Sequence, residues 1–323
     1  MGMREQSLLE EIARRFRPGV ADRRRGVRVG AGDDAALVRM GGTDVALTVD
    51  AVVEGVDFDL RYFGWSDVGY KALSAAVSDL YACGATPVAF LVTAGIPAGA
   101  KPTKIRSLLG GLQAAAAEHR ATIVGGDLTR APKLMLDVCA IGQAGKRFLR
   151  RSGARRGDMI FVSGPVGSSR AALLMFRRGL RVPRALRAAH LRPTAARRAG
   201  RDLSKEPRVT AMMDVSDGLL MDLSRLCRAS RVGAGLVPSH LPVTSEARAA
   251  FRRLGKDPVQ EAAIGGEDYV LLFTVRPPVP RHIRRRYACI GRILNPSPVG
   301  GPIYNMERRP PRRMVVKGFL HRF

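Results

Sequence analysis

Apolar and polar positions along this chain follow two periods, and the period changes repeatedly from one segment to the next. Residues 7–16 repeat at helical spacing and predict a short amphipathic helix. Residues 45–49 alternate into a strand that ends at Asp50. The pattern over 66–83 is again helical, with Ser66 as N-cap and Ser78-Asp79 near the end. A continuous apolar run over 88–94 predicts a buried strand, 103–119 a helix, and 122–124 a short strand delivering Gly125-Gly126-Asp127. Another strand over 134–141 follows. Beyond it the pattern predicts strands at 158–163, 210–213 and 269–275, and helices starting near Ser169, within 181–193 and over 218–228. The tail from Arg292 is rich in proline and arginine, with strand-like patches at most. Mixed helices and strands favour an α/β or α+β architecture.

Residues 146–158 are basic, contain glycine and show no apolar period, so they read as a link between domains spanning 1–145 and 146–323. A length of 323 residues suits two domains of ordinary size. No apolar run approaches the roughly 20 residues that span a bilayer. Residues 1–17 carry acids and have no uncharged apolar stretch, unlike a signal peptide. Cys83, Cys139, Cys227 and Cys289 are far apart and form no Cys-x-x-Cys pair, which suits a reducing cytoplasm. Five histidines, none in an i, i+4 pair, give no basis for a transition-metal centre.

Charge alters the picture less than its size suggests. The chain carries 54 Lys+Arg against 28 Asp+Glu, a net +26. That excess is the footprint of a nucleic-acid binder. Its arginines are nevertheless spread over the whole length and only eight of the 54 bases are lysines, which reads as compositional habit and not as a binding stripe. The remaining consequence is attraction for anionic ligands, nucleotides included.

The scarce acids are distributed differently. Nine of the 28 fall in six short motifs: Gly32-Asp33-Asp34, Thr48-Val49-Asp50, Val77-Ser78-Asp79, Gly125-Gly126-Asp127, Asp214-Val215-Ser216-Asp217-Gly218 and Gly265-Gly266-Glu267-Asp268. Singly, each has an ordinary reading: Gly32-Asp33-Asp34 a turn, Ser216 or Asp217 an N-cap. Gly164 to Ser168 reads as a strand-to-helix turn or as a phosphate cradle. Together they recur where one element gives way to another, the usual address of ligand-binding groups in α/β proteins. Carboxylates are the ligands hard cations take, and a nucleotide-bound Mg²⁺ needs only one or two. So many imply several Mg²⁺ ions and a highly charged ligand such as ATP. Phosphoryl transfer asks a protein for positioning and charge cancellation. Neither a Walker A sequence nor a protein-kinase Gly-rich loop is present.

These motifs, with Leu80, Gly84-Ala85-Thr86-Pro87, Leu128-Thr129, Arg151-Ser152-Gly153-Ala154, Leu219 and Tyr269, resemble in order and spacing the thiamine-monophosphate kinase family, over about residues 5–319. The resemblance implies the two-domain fold shared with aminoimidazole ribonucleotide synthetase, the N-terminal domain forming an intersubunit barrel in a homodimer and the C-terminal domain completing the site. It implies ATP-dependent phosphorylation of thiamine monophosphate to thiamine diphosphate. Asp34, Thr48, Val49, Asp50, Asp79, Asp127, Asp214 and Asp217 would bind Mg²⁺. Gly126, Asp127, Arg151 and Ser216 would contact ATP, and Asp57, Glu267 and Phe319 the thiamine substrate. No side chain serves as covalent nucleophile. Two departures stand out. Val49 replaces a hydroxyl residue, leaving only its carbonyl for a metal. Gly55-Val56-Asp57-Phe58 has an acid where the family usually has histidine. Asp57 motivates an alternative: another ATP-dependent enzyme of this superfamily with a different phosphorylated substrate. A nucleic-acid-binding protein on this scaffold is the remote third reading.

Overall fold

The structure, a computed structural model, describes residues 5–296 and 301–319. Parts of the signal-peptide reading (residues 1–4) and of the tail reading (297–300 and 320–323) lie outside the described residues. The first half runs α1 (Glu5–Arg15), α2 (Val20–Arg24), β1 (Val27–Val29), β2 (Ala36–Met40), β3 (Thr43–Val53), α3 (Trp65–Ala82), β4 (Thr86–Ile96), α4 (Pro102–His119), β5 (Thr122–Arg130) and β6 (Met135–Gln143). The second runs β7 (Met159–Val162), α5 (Ser168–Arg177), α6 (Arg184–Leu191), α7 (Arg197–Leu203), β8 (Val209–Asp214), α8 (Leu219–Ser230), β9 (Val232–Leu236), α9 (Ser245–Arg253), α10 (Pro258–Ile264), β10 (Leu271–Val275), α11 (Arg281–Arg286), β11 (Ala288–Pro296), β12 (Ile303–Asn305) and β13 (Arg312–Arg313).

Each half builds its own sheet. The first is ordered β1-β2-β3-β6-β4-β5 and the second β13-β12-β9-β11-β7-β10-β8. Only β4–β5 and β9–β12 pair in parallel. In the first sheet, Ala46, Val52, Leu136, Val138, Ala140, Phe90 and Val92 point to one face and pack under α3 and α4. Those helices meet at glycines: a Cβ on Gly111 would lie 1.9 Å from the Ser66 carbonyl, and one on Gly69 2.4 Å from that of Leu108. Side chains there would force the helices apart. The other sheet face is open. It carries Val49, Leu91 and Val124, all exposed.

That open face corrects the expected buried strand at 88–94. β4 alternates, with Phe90 and Val92 buried and Val88 and Leu91 exposed. The strand expected over 122–124 runs on to Arg130, so Gly125-Gly126-Asp127 sit inside β5. Glycine reads as a strand breaker. Here Gly126 is needed because a Cβ would lie 1.8 Å from the Val92 carbonyl. The α3 N-cap is Gly64, not Ser66: the Gly64 N–H donates to Asp67 Oδ2 at 3.2 Å. The basic segment 146–158 is fastened rather than loose. Leu149 is buried and donates its N–H to Cys83, while Arg147 bonds the carbonyls of Glu206 and Val209. No helix among the described residues is long and apolar enough to cross a membrane.

Candidate active site

The alternation of β3 turns Thr48 and Asp50 toward α3 and Val49 toward the open face. Asp79 stands in the last turn of α3, where Thr48 Oγ1 donates to its Oδ2 at 2.6 Å. Asp214 ends β8 and reaches the same place from the other half; Ser78 Oγ donates to its Oδ2 at 2.7 Å. Asp34 comes from the loop after β1. Its Oδ1 accepts from Arg151 Nε at 2.8 Å and lies 2.6 Å from Arg151 Nη2. The Arg151 N–H donates to Asp33 Oδ1 at 2.9 Å.

Asp34, Asp79 and Asp214 each offer an oxygen within 4.8 Å of the others. Burial, followed by mutual repulsion, pushes the Asp79 and Asp214 carboxyls well up and lifts Asp50 to about 7. Asp33 rises to about 6 for the same two reasons. Asp34 Oδ2 is buried and has no hydrogen-bond partner. An all-oxygen donor set with an orphaned buried carboxylate oxygen fits a hard divalent cation such as Mg²⁺.

The 214–218 motif is not capped as its sequence suggests. Gly218 is the N-cap of α8, with φ 122°. Asp222, fully buried, accepts the N–H groups of Asp217 and Gly218 at 3.2 and 3.0 Å. Arg225 pairs with both Asp217 and Asp222. The turn 164–168 is likewise no open phosphate cradle. Asp268 Oδ2 accepts the Gly167 N–H at 2.6 Å, and its Oδ1 the Ser169 N–H at 3.3 Å, so a side-chain carboxyl already occupies the start of α5. Beside it Glu267, at φ 63°, donates its N–H to the Ser216 carbonyl at 2.7 Å, tying two motif loops together.

A cleft of about 740 Å³ unites these groups. Of the sequence-predicted residues, Asp50, Asp57, Asp79, Arg151, Asp214, Ser216, Asp217, Glu267 and Phe319 line it. Asp34 and Thr48 stand beside its wall through their bonds to Arg151 and Asp79. Phe319 is held there by its N–H donating to the Asp217 carbonyl at 2.8 Å. Asp57 Oδ2 accepts the Val53 N–H at 2.8 Å, closing its own turn. Arg61 and Arg177 line the same cleft, Arg61 being paired with Asp59 at 2.6 Å.

Gly126, Asp127 and Val49 are not gathered into the cleft of one chain. Asp127 pairs with Thr93, and Thr93 with Asp137, along the open side of the sheet. The sequence reading missed Lys71, Ser169, His190, Asp222 and Arg225. Lys71 alone left a signal, as a lysine inside an otherwise apolar helical stretch.

Two unlike sheets joined over buried carboxylates define the class: residues 32–144 match the AIR synthase related protein N-terminal domain and 155–286 its C-terminal domain. The chain is 36% identical over 247 residues to the thiamine-monophosphate kinase of Aquifex aeolicus (strain VF5), covering 75% of this chain and 79% of that one. It belongs to the thiamine-monophosphate kinase family. With the Pyrococcus horikoshii (strain ATCC 700860 / DSM 12428 / JCM 9974 / NBRC 100139 / OT-3) relative it shares 30% identity over 290 residues, 90% of both chains. A solved structure described as AaThiL complexed with AMPPCP and TMP superposes with a TM-score of 0.85 at 30% identity, over 98% of this chain and 97% of that one.

Proposed function

We propose that this cleft transfers the γ-phosphoryl group of ATP to thiamine monophosphate, giving thiamine diphosphate. One observation carries the reading: the buried Asp34–Asp79–Asp214 cluster beside Arg151 opens into the same cleft as Glu267 and Phe319. Asp34, Asp50, Asp79, Asp214 and Asp217 would hold Mg²⁺. When bound, Mg²⁺ cancels phosphate charge and so favours in-line transfer. Arg151 and Ser216 orient the nucleotide, the arginine by forking onto phosphate oxygens. At the far end Glu267 accepts from the aminopyrimidine and Phe319 covers the cationic ring. The acceptor is a substrate phosphate oxygen, so no side chain is a covalent nucleophile. The four cysteines are free, which suits a reducing cytoplasm. The first sheet ends at Gln143 and the second begins at Met159, which supports domains 1–145 and 146–323.

The purified protein with ATP, Mg²⁺ and thiamine monophosphate is expected to form thiamine diphosphate. Absence of product, together with thermal stabilisation by ATP–Mg²⁺ but by no thiamine phosphate, would transfer the assignment to another substrate of the same fold.

The open sheet face supports a homodimer. Val49 is 63% and Val124 60% exposed on this face, an apolar surface that a second copy would cover. In this reading Gly126, Asp127 and Val49 act through that interface. Asp127→Asn and Asp214→Asn are each expected to be inactive while folded. Co-refolding the two in equal amounts should restore about a quarter of wild-type activity if each site draws on both chains, since half the dimers then hold one intact site. No restoration would show that Asp127 does not act across the interface between two chains.

A further inference from the structure

Beneath the Glu267 end of the cleft lies a lysine removed from solvent. The Lys71 side chain is 1% exposed, and its Nζ sits 2.5 Å from Glu267 Oε1 and 2.7 Å from the Asp57 carbonyl. The ammonium also lies 5.1 Å from the centre of the Phe63 ring. A buried lysine persists only where its charge is answered. Here the answer comes from both halves of the molecule, Asp57 in the first and Glu267 in the second. A second support reaches the other carboxylate oxygen. His190 Nδ1 is 3.4 Å from Glu267 Oε2 and 2.8 Å from Ser169 Oγ, and Ser169 Oγ donates to Oε2 at 3.4 Å. Glu267 still shows 27% of its side chain to the cleft, so it can accept from a ligand while held from behind.

We propose that Lys71 is a positioning residue for recognition of the thiamine moiety: it fixes the Glu267 carboxylate and the Asp57 turn relative to one another, with His190 and Ser169 steadying the second oxygen. This rests on the functional reading above. Lys71 does not line the cleft, so it acts through Glu267 and the Asp57 turn.

The charge state of Glu267 follows the same arrangement. Burial alone would raise its carboxyl, but Lys71 and then His190 hold it down at about 2. The charged or titratable groups facing it are Lys71 from α3, His190 from α6, Tyr62 from the loop before α3, and its neighbours Asp268 and Tyr269, with Arg177 from α5 acting on His190 and Tyr62. Without Lys71, burial prevails and Glu267 takes up a proton at a higher pH.

The test is steady-state kinetics on wild type, Lys71→Met, Glu267→Gln and the double variant, each checked for folding by circular dichroism. Lys71→Met is expected to raise the KM for thiamine monophosphate about tenfold or more, leaving the KM for ATP and kcat within about threefold. That deficit should deepen as pH falls from 8 to 6, which a merely structural role would not produce. In the Glu267→Gln background the same substitution should change the KM for thiamine monophosphate by no more than about threefold, because only its bond to the Asp57 turn remains. Additive losses, a pH-independent deficit, or equal damage to both KM values would overturn the proposal. If Lys71→Met alone does not fold, Glu267→Gln against the double variant decides: KM values within about threefold support the proposal and a rise of about tenfold or more overturns it. A wild type that does not turn over thiamine monophosphate overturns the functional reading and this inference together. An active wild type with an unaltered Lys71→Met overturns this inference alone.

Discussion

Asp214→Asn is expected to lower kcat for ATP-dependent turnover by about a thousandfold or more, while raising the melting temperature of the metal-free protein at pH 8. Both effects have one origin. Asp214 is buried with Asp34 and Asp79, their oxygens within 4.8 Å. Without a cation the fold must either confine like charges or hold protons that the unfolded chain would release. The Asp50 carboxyl at about 7, against an ordinary 3.8, shows the sign. A raised folded-state value means that the native protein binds more protons than the unfolded chain between these limits. Metal-free stability therefore falls as pH rises from about 4 through 7. Asparagine removes one repelling charge and can still accept from Ser78 Oγ, so the fold gains as the metal site is lost. Magnesium must displace the protons, and its stabilisation of the wild type should be larger at pH 8 than at pH 6. Differential scanning calorimetry with and without Mg²⁺ at both pH values, beside single-turnover kinetics, measures this. A destabilised Asp214→Asn with near-wild-type rates would remove these carboxylates from the metal site.

Arg151→Met is expected to raise the KM for ATP at least tenfold and to destabilise the metal-free protein at pH 8 by about 3 kcal/mol. Arg151 holds Asp34 through two guanidinium nitrogens and Asp33 through its backbone N–H. Removing the guanidinium leaves the buried Asp34 carboxylate without its main counter-charge. Burial already pushes that carboxyl upward and Arg151 opposes it. In the variant Asp34 keeps its proton to higher pH, so the stability deficit should shrink between pH 8 and pH 5.5. Urea titrations at the two pH values test the sign. A deficit that grows on acidification would show that Asp34 does not depend on Arg151.

The motifs at 32–34, 77–79, 214–218 and 265–268 were legible because glycine and aspartate there do mark turns and element ends, whereas Thr48-Val49-Asp50 and Gly125-Gly126-Asp127 lie inside strands. Asp34, Asp79 and Asp214 could thus be named before their convergence was known. Asp127 carries the same local mark, yet it belongs to an edge strand whose face is decided by pairing with β4. Strand boundaries failed for a related reason. β5 reads as three residues because two glycines interrupt it, while its ladder with β4 carries it to nine. The open face of β4 was read as buried because apolar residues occupy both sides of that strand, one for the core and one left uncovered in a single chain. Lys71 left only a hint, as a lysine in an apolar helical stretch, and His190 and Asp222 left none, since a lone polar residue in a helix acquires its role from what packs against it.

Helix α3 touches both halves with polar bonds as well as packing. Ser78 bonds Asp214, Lys71 pairs with Glu267, and Asp67 near its start pairs with Arg192 at 2.5 Å. A helix fastened at three heights to the opposite domain resists a change in the angle between the two sheets, the motion by which other enzymes close one lobe onto another. The parts of the cleft border outside this fastening are α1, which presents Leu9 and Ile12, and Gly318-Phe319.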